Sequence, residues 1–164
     1  MSAVTPRFFG AVLMSMLLAV VLSIIPLPEA LQMWRPEWVA LALINWALAL
    51  GHRVGLWMAF IIGLLMDVLH NSLLGQHALE LVVVGYLSIR LGGRMTPEAY
   101  FQQFVLISAV LGLYMLLSLW IRGVTGYAQA GNTWQYWAPL LSSLLIWPLY
   151  QWLLSYFYIQ KKGL

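Results

Sequence analysis

Four ionisable side chains stand close together in an otherwise apolar part of the sequence: Asp67, His70, His77 and Glu80. The spacings Asp-x-x-His and His-x-x-Glu place the members of each pair on one face of a helix. Carboxylates and imidazoles that meet inside a protein can relay protons or hold a metal ion. One hypothesis is therefore a proton relay or a metal site formed by these four residues.

The same residues also have structural interpretations. Asp67 and His70 can lie at a solvated interface and cap a helix or bind a nearby backbone group. Glu80 can be protonated, hydrogen-bonded to a neighbouring helix, or directed towards the membrane helix of a partner protein. Because pairs at this spacing arise often by chance, we favour these structural and partner-facing interpretations.

Signatures of known enzyme classes are missing from the sequence. It contains no His-Glu-x-x-His, no Gly-x-Ser-x-Gly, no P-loop and no dinucleotide fingerprint. Cysteine is also absent, which excludes disulfides, thiolate metal sites and cysteine nucleophiles. We therefore predict no catalytic residue, cofactor or metal, and we interpret the scattered serines and the glycines as helix-packing residues, the latter including Gly63, Gly75, Gly85 and Gly112.

The elements that position these residues follow from composition. Of 164 residues, 63% are hydrophobic and 8% are charged, whereas an average soluble domain is about 25% charged. Mean hydropathy is +0.86. The composition predicts a single integral membrane domain over residues 1–164 that is entirely α-helical. The net charge of +3 is too small and too scattered to indicate nucleic-acid binding.

Six membrane spans are predicted, because about 20 apolar residues cross the hydrocarbon core of a bilayer. Two of the spans are short and form a hairpin around Gly51–Gly55, which indicates local bilayer thinning or shielding by neighbouring helices. A fourth span that starts near Leu73 puts Glu80 close to the bilayer midplane, and Pro148 predicts a kink in the last span. The predicted spans are residues 8–25, 38–50, 56–69, 73–89, 101–121 and 137–159.

The charges between the spans predict an orientation by the positive-inside rule. Six basic residues fall on one side, namely Arg7, Arg53, Arg90, Arg94, Lys161 and Lys162, and two fall on the other, namely Arg35 and Arg122. Both termini are therefore predicted to be cytoplasmic. Residues 26–37 form an outside loop, at whose end Pro36 suits a first helical turn and Glu37 suits a helix N-terminus.

Several segments together resemble the rod-shape-determining protein MreD family of Gram-negative bacteria. The resemblance covers the whole chain in length and span count, and its specific part is about residues 35–90. The segments that carry it are Arg35–Val39, Asn45–Leu50, His52–Val54, Gly63–Asp67, Leu74–Gly75 and Ala78–Leu79, with Trp147–Pro148 and the basic C-terminal end.

The resemblance implies a small, non-enzymatic inner-membrane scaffold of the cell-elongation machinery. It implies partnership with the single-span protein MreC, and indirectly with the actin-like MreB and with the glycosyltransferase and transpeptidase of lateral peptidoglycan synthesis. It also implies a six-helix fold similar to the membrane substrate-binding components of energy-coupling-factor transporters.

The resemblance assigns no catalytic residue. Asp67 and Gly75 match the recurring pattern of the family, whereas His77 and Glu80 do not. The candidates for structural or partner-contacting positions are Arg35, Pro36, Trp38, Gly63, Asp67, Gly75 and Glu80. The alternatives are a small-solute transporter or its binding subunit, motivated by Glu80 and His77, and an intramembrane enzyme.

Overall fold

A computed structural model describes residues 6–51, 56–92, 100–126 and 133–159, which form seven α-helices and no β-strand. The all-α prediction is confirmed for this part of the chain. The helices are α1 (Pro6–Ile24), α2 (Glu29–Gln32), α3 (Trp38–Leu50), α4 (Leu56–His70), α5 (Gln76–Gly92), α6 (Tyr100–Thr125) and α7 (Thr133–Ile159).

The predicted and observed helices differ most at α2, α5, α6 and α7. The four-residue α2 lies within the predicted loop 26–37 and was not expected. Helix α5 begins at Gln76 and not near Leu73, which places Glu80 in the second turn of the helix and away from its middle. Helices α6 and α7 are longer than predicted, and α7 continues through Pro139 and Pro148. Of the charges used for orientation, Arg53, Arg94, Lys161 and Lys162 lie outside the described residues.

Helix α3 forms the centre of the bundle. Its residues from Val39 to Ala47 are all buried, in nine successive positions. A helix that is apolar on every side is usually buried, either in protein or in lipid, and α3 packs against α1, α5 and α7. Neighbouring helices therefore enclose most of α3.

The N-terminus of α3 lies well inside the bundle. The backbone N–H of Glu37 donates to Ser143, ten residues after the start of α7 at Thr133. At 1.5 Å per residue, this contact is about 15 Å along α7 from its start. Helix α3 therefore runs alongside only part of α7. Its length of 13 residues matches that part.

The outside of the bundle is strongly apolar. Trp57 and Phe101 are each 79% exposed, and Leu145 is 77% exposed. Such a surface suits contact with lipid chains better than contact with water. Among the described residues, Phe101–Thr125 alone is both long and apolar enough to cross a membrane by itself, while Gly10–Ile24, Trp38–Leu50 and Leu56–His70 are shorter apolar helices.

Candidate functional site

The carboxylate of Asp67 accepts backbone hydrogen bonds at the start of α5. Asp67 is 1% exposed and lies in the last turn of α4. Its Oδ2 accepts the backbone N–H of Gly75 at 2.8 Å, and its Oδ1 accepts the backbone N–H of His77 at 2.8 Å. The first N–H groups of a helix have no partner within the helix and carry partial positive charge. Asp67 therefore acts as the N-terminal cap of the following helix.

Two side chains complete the surroundings of this carboxylate. The Ser72 hydroxyl donates to Oδ1 at 2.8 Å, and Nδ1 of His77 lies 2.8 Å from the same oxygen. Ser72 Oγ is also 3.1 Å from His77 Nδ1. In a Ser-His-Asp triad the serine and the aspartate contact opposite ring nitrogens. Here both contact Nδ1, so the three residues do not form a nucleophile and base pair.

The turn between α4 and α5 depends on a glycine with an unusual backbone conformation. Gly75 has a φ of +99°, and a Cβ added there meets nothing within 4 Å. The prediction that Gly75 permits close helix approach is therefore wrong, because what the position requires is a left-handed backbone. This conformation directs the Gly75 N–H at Asp67.

Gly63 fulfils the predicted packing role. A Cβ at this position would lie 2.2 Å from the Cα of Ala78, closer than non-bonded atoms approach. Helices α4 and α5 therefore touch backbone to backbone at this level. At Gly85 and Gly112 an added Cβ would make ordinary contacts with side chains of other helices, at 3.6 Å or more.

The segment from Arg35 to Trp38 joins α1 to α3. The Arg35 guanidinium donates to the carbonyl oxygens of Ser23, in the last turn of α1, and of Ile25, just after the helix. A positive charge is favourable at a helix C-terminus. Pro36 is buried, and its carbonyl accepts the N–H of Trp38, the first residue of α3. Pro36 therefore precedes the helix and does not occupy its first turn. Trp38 packs against the hydrophobic core.

Glu37 connects the start of α3 to two further helices. Its N–H donates to Ser143 Oγ at 2.9 Å, and the Tyr114 hydroxyl lies 3.4 Å from its carboxylate. Burial raises the pKa of the Glu37 carboxyl, and the hydrogen bond from Tyr114 and the charges of Arg122 and Arg35 partly oppose this effect. The backbone and side chain of Glu37 thus fix α3 against α7 and α6.

Glu80 is fully buried but belongs to a different set of contacts from Asp67. Its Oε1 accepts Gln76 Nε2 at 3.2 Å, its Oε2 has no well-formed hydrogen bond, and Ser118 on α6 lies close to the carboxyl group. Glu80 therefore lies between α5 and α6, and it is not hydrogen-bonded to the Asp67 carboxylate or to His77.

The four residues singled out by spacing are thus only partly brought together. Asp67 and His77 are in direct contact, and the His70 ring lies against the His77 ring, with centroids 5.6 Å apart. Within the described ranges no group of three or more His, Asp or Glu residues is arranged to hold a metal ion. The sequence offered no signal for Ser72, Tyr114, Ser118 or Ser143, because isolated hydroxyl side chains in apolar helices form no pattern.

Comparisons with known proteins bear on the same segments. A sequence model of the family described as "rod shape-determining protein MreD" matches residues 6–159. A curated relative from Haemophilus influenzae, named rod shape-determining protein MreD, is 32% identical over 108 residues, which cover 62% of this chain and 64% of the relative. The match thus spans slightly less than two thirds of that relative. No solved structure matches this chain. Since the family match extends across nearly all of the sequence, the chain belongs to the MreD family of rod shape-determining proteins.

Proposed function

We propose that this protein is a non-enzymatic scaffold of the bacterial elongation machinery, located in the inner membrane, which helps to maintain rod shape and lateral peptidoglycan synthesis. The observation that carries the proposal is that buried and partly buried polar residues form hydrogen bonds between helices. Arg35, Glu37 and Asp67 each join one helix to another. Groups engaged in this way support a rigid binding surface and are poorly placed for chemistry.

In this proposal six helices cross the membrane, namely α1 and α3 to α7, and both termini face the cytoplasm. Helix α2 then lies in the outside loop before α3. The apolar exterior of the bundle supports this arrangement, as does the central α3, which needs no lipid contact of its own. The fold then resembles the membrane substrate-binding components of energy-coupling-factor transporters.

The proposed partner is the membrane helix of the single-span protein MreC. Through it the scaffold acts on MreB and on the elongation glycosyltransferase and transpeptidase, in contact with lipid and without nucleic acid. Exposed apolar side chains on α4 offer a surface for such a helix: Trp57 is 79% exposed, Ile61 63% and Val68 65%.

Depletion in the bacterium that encodes the protein tests the role in cell shape. Rod-shaped cells should become round as the protein is lost, and plasmid-borne wild type should restore rods. An Asp67→Ala variant present at wild-type level in the membrane should restore them less well. Cells that remain rod-shaped after complete depletion would contradict the proposal.

One observation favours a second candidate, a small-solute transporter or its membrane binding subunit. Glu80 is 0% exposed, and its Oε2 has no well-formed hydrogen bond. Such an atom is available to a polar solute between α5 and α6. A transporter should be stabilised against heat by its solute, and Glu80→Gln should abolish that effect. If Glu80→Gln supports normal growth and rod shape, the transporter hypothesis fails.

A further inference from the structure

The side chains of His70 and His77 lie together at one end of the bundle, where α4 turns into α5. Their ring centroids are 5.6 Å apart, and the ring planes are inclined by 29°. His70 is exposed, and the His77 side chain keeps 10% of its accessible surface. The His70 imidazole is therefore open to the outside, and the His77 imidazole beside it retains a small exposed fraction.

The surroundings of the two rings select the same tautomer in each. Nδ1 of His77 lies 2.8 Å from Asp67 Oδ1, and Nδ1 of His70 lies 3.1 Å from the Met66 carbonyl oxygen. A carboxylate and a carbonyl only accept hydrogen bonds, so each neutral ring carries its proton on Nδ1 and a lone pair on Nε2. Neither Nε2 has a hydrogen-bond partner among the described residues.

This arrangement is found around histidine ligands of metals. A metal-binding imidazole usually donates its other N–H to a carboxylate or a backbone carbonyl, which fixes the ring and makes Nε2 more basic. With Zn–N distances of about 2.0–2.1 Å and tetrahedral angles, two imidazoles on one ion have centroids about 5 Å apart. The observed separation of 5.6 Å is close to this value.

We propose that His70 and His77 bind one divalent transition-metal ion, Zn²⁺ or Cu²⁺, through their Nε2 atoms, with water completing the coordination. Imidazole suits these ions, whereas Mg²⁺ and Ca²⁺ prefer oxygen ligands. The ion joins the last turn of α4 to the first turn of α5, the same connection that Asp67 makes. This site is independent of the proposed scaffold function.

The test uses full-length protein without a polyhistidine tag, purified in mild detergent. An ion that binds only the folded state raises the midpoint of thermal unfolding in a saturable way. Zn²⁺ should do so for wild type, Mg²⁺ should not, and a chelator should reverse the effect. His70→Ala changes an exposed ring and should weaken Zn²⁺ binding by about tenfold or more. The matched control is His52→Ala, which removes the third histidine of the chain and should leave binding unchanged.

Electron paramagnetic resonance of bound Cu²⁺ identifies the ligands directly. Wild type and His52→Ala should show hyperfine coupling to two imidazole nitrogens, and His70→Ala to one. Three results would overturn the proposal: no saturable binding, Zn²⁺ binding that His70→Ala leaves unchanged, or an equal loss in His52→Ala.

Discussion

Asp67 Oδ2 lies 2.8 Å from the backbone nitrogen of Gly75, so the last turn of α4 holds the residue that precedes α5. The other carboxylate oxygen accepts the N–H of His77, inside the first turn of α5. One side chain thus supplies acceptors for two backbone N–H groups, one just before α5 and one in its first turn. This gives a physical reason for an aspartate inside an apolar bundle.

Replacing Asp67 should therefore destabilise the protein. Asp67→Ala leaves the buried N–H of His77 and the partly buried N–H of Gly75 without acceptors. A buried group left in this way costs about 1–3 kcal/mol in free energy of unfolding. Asp67→Asn keeps one acceptor oxygen and should lose less. The measurement is unfolding in mild detergent, with Ser72→Ala as the control that removes the hydroxyl contacts to Asp67 and His77 but leaves both backbone N–H groups with their acceptors. A loss for Asp67→Ala no larger than that for Ser72→Ala would contradict the capping role.

Two glycine substitutions should separate backbone contact from side-chain contact. Gly63→Ala places a Cβ 2.2 Å from the Cα of Ala78, so α4 and α5 must move apart, and we expect a loss of about 1–3 kcal/mol in stability. Gly85→Ala meets only side-chain atoms, the nearest at 3.6 Å. It should be neutral or mildly stabilising, because alanine favours helix. Equal effects of the two substitutions on the unfolding midpoint would argue against the close helix approach.

The contact of Arg35 with the end of α1 predicts a graded series. Arg35→Ala removes both donors and the charge from the helix end, and we expect a loss of about 1–2 kcal/mol in stability. Arg35→Lys keeps the charge but cannot reach two carbonyls with a planar fork, so it should lie between alanine and wild type. Arg90→Ala, at an exposed position, is the control. The order of the unfolding midpoints decides whether the guanidinium geometry matters.

The Glu37 carboxyl should make stability depend on pH. Its pKa is raised above 4.5 in the folded protein, so the folded state binds more protons than the unfolded state between the two pKa values. Stability should then fall as the pH rises through this window. Glu37→Gln keeps an acceptor for Tyr114 and cannot ionise. Unfolding midpoints measured against pH should fall less steeply for this variant, and parallel curves would show that Glu37 does not contribute.

The sequence predicted most of the helices because their apolar runs end at charges, prolines or glycines. Helix α3 was predicted with the bounds observed, since Glu37 and Gly51 bracket it. It was not possible to predict that α3 starts inside the bundle. That position depends on the Glu37–Ser143 contact, which joins residues 106 positions apart.

The candidate site was predicted in part. The importance of Asp67, Gly63 and Arg35 followed from their residue types, because charges are rare in apolar helices and glycines often mark close helix contacts. The contacts that these three residues make could not be predicted from their types. Gly75 was expected at a close helix contact, but it supplies a positive φ. The start of α5 was placed three residues too early, so Glu80 lies in the second turn of the helix and not near its middle.

The central claim is that this protein binds a partner membrane helix, and site-specific photocrosslinking in native membranes tests it most directly. The crosslinking residue replaces exposed Ile61, Val68 or Leu79, with fully buried Leu41 as the control position. We expect capture of one protein with a single membrane span from at least one exposed position and none from Leu41. Capture of lipid alone, or of many unrelated proteins without preference for position, would contradict it.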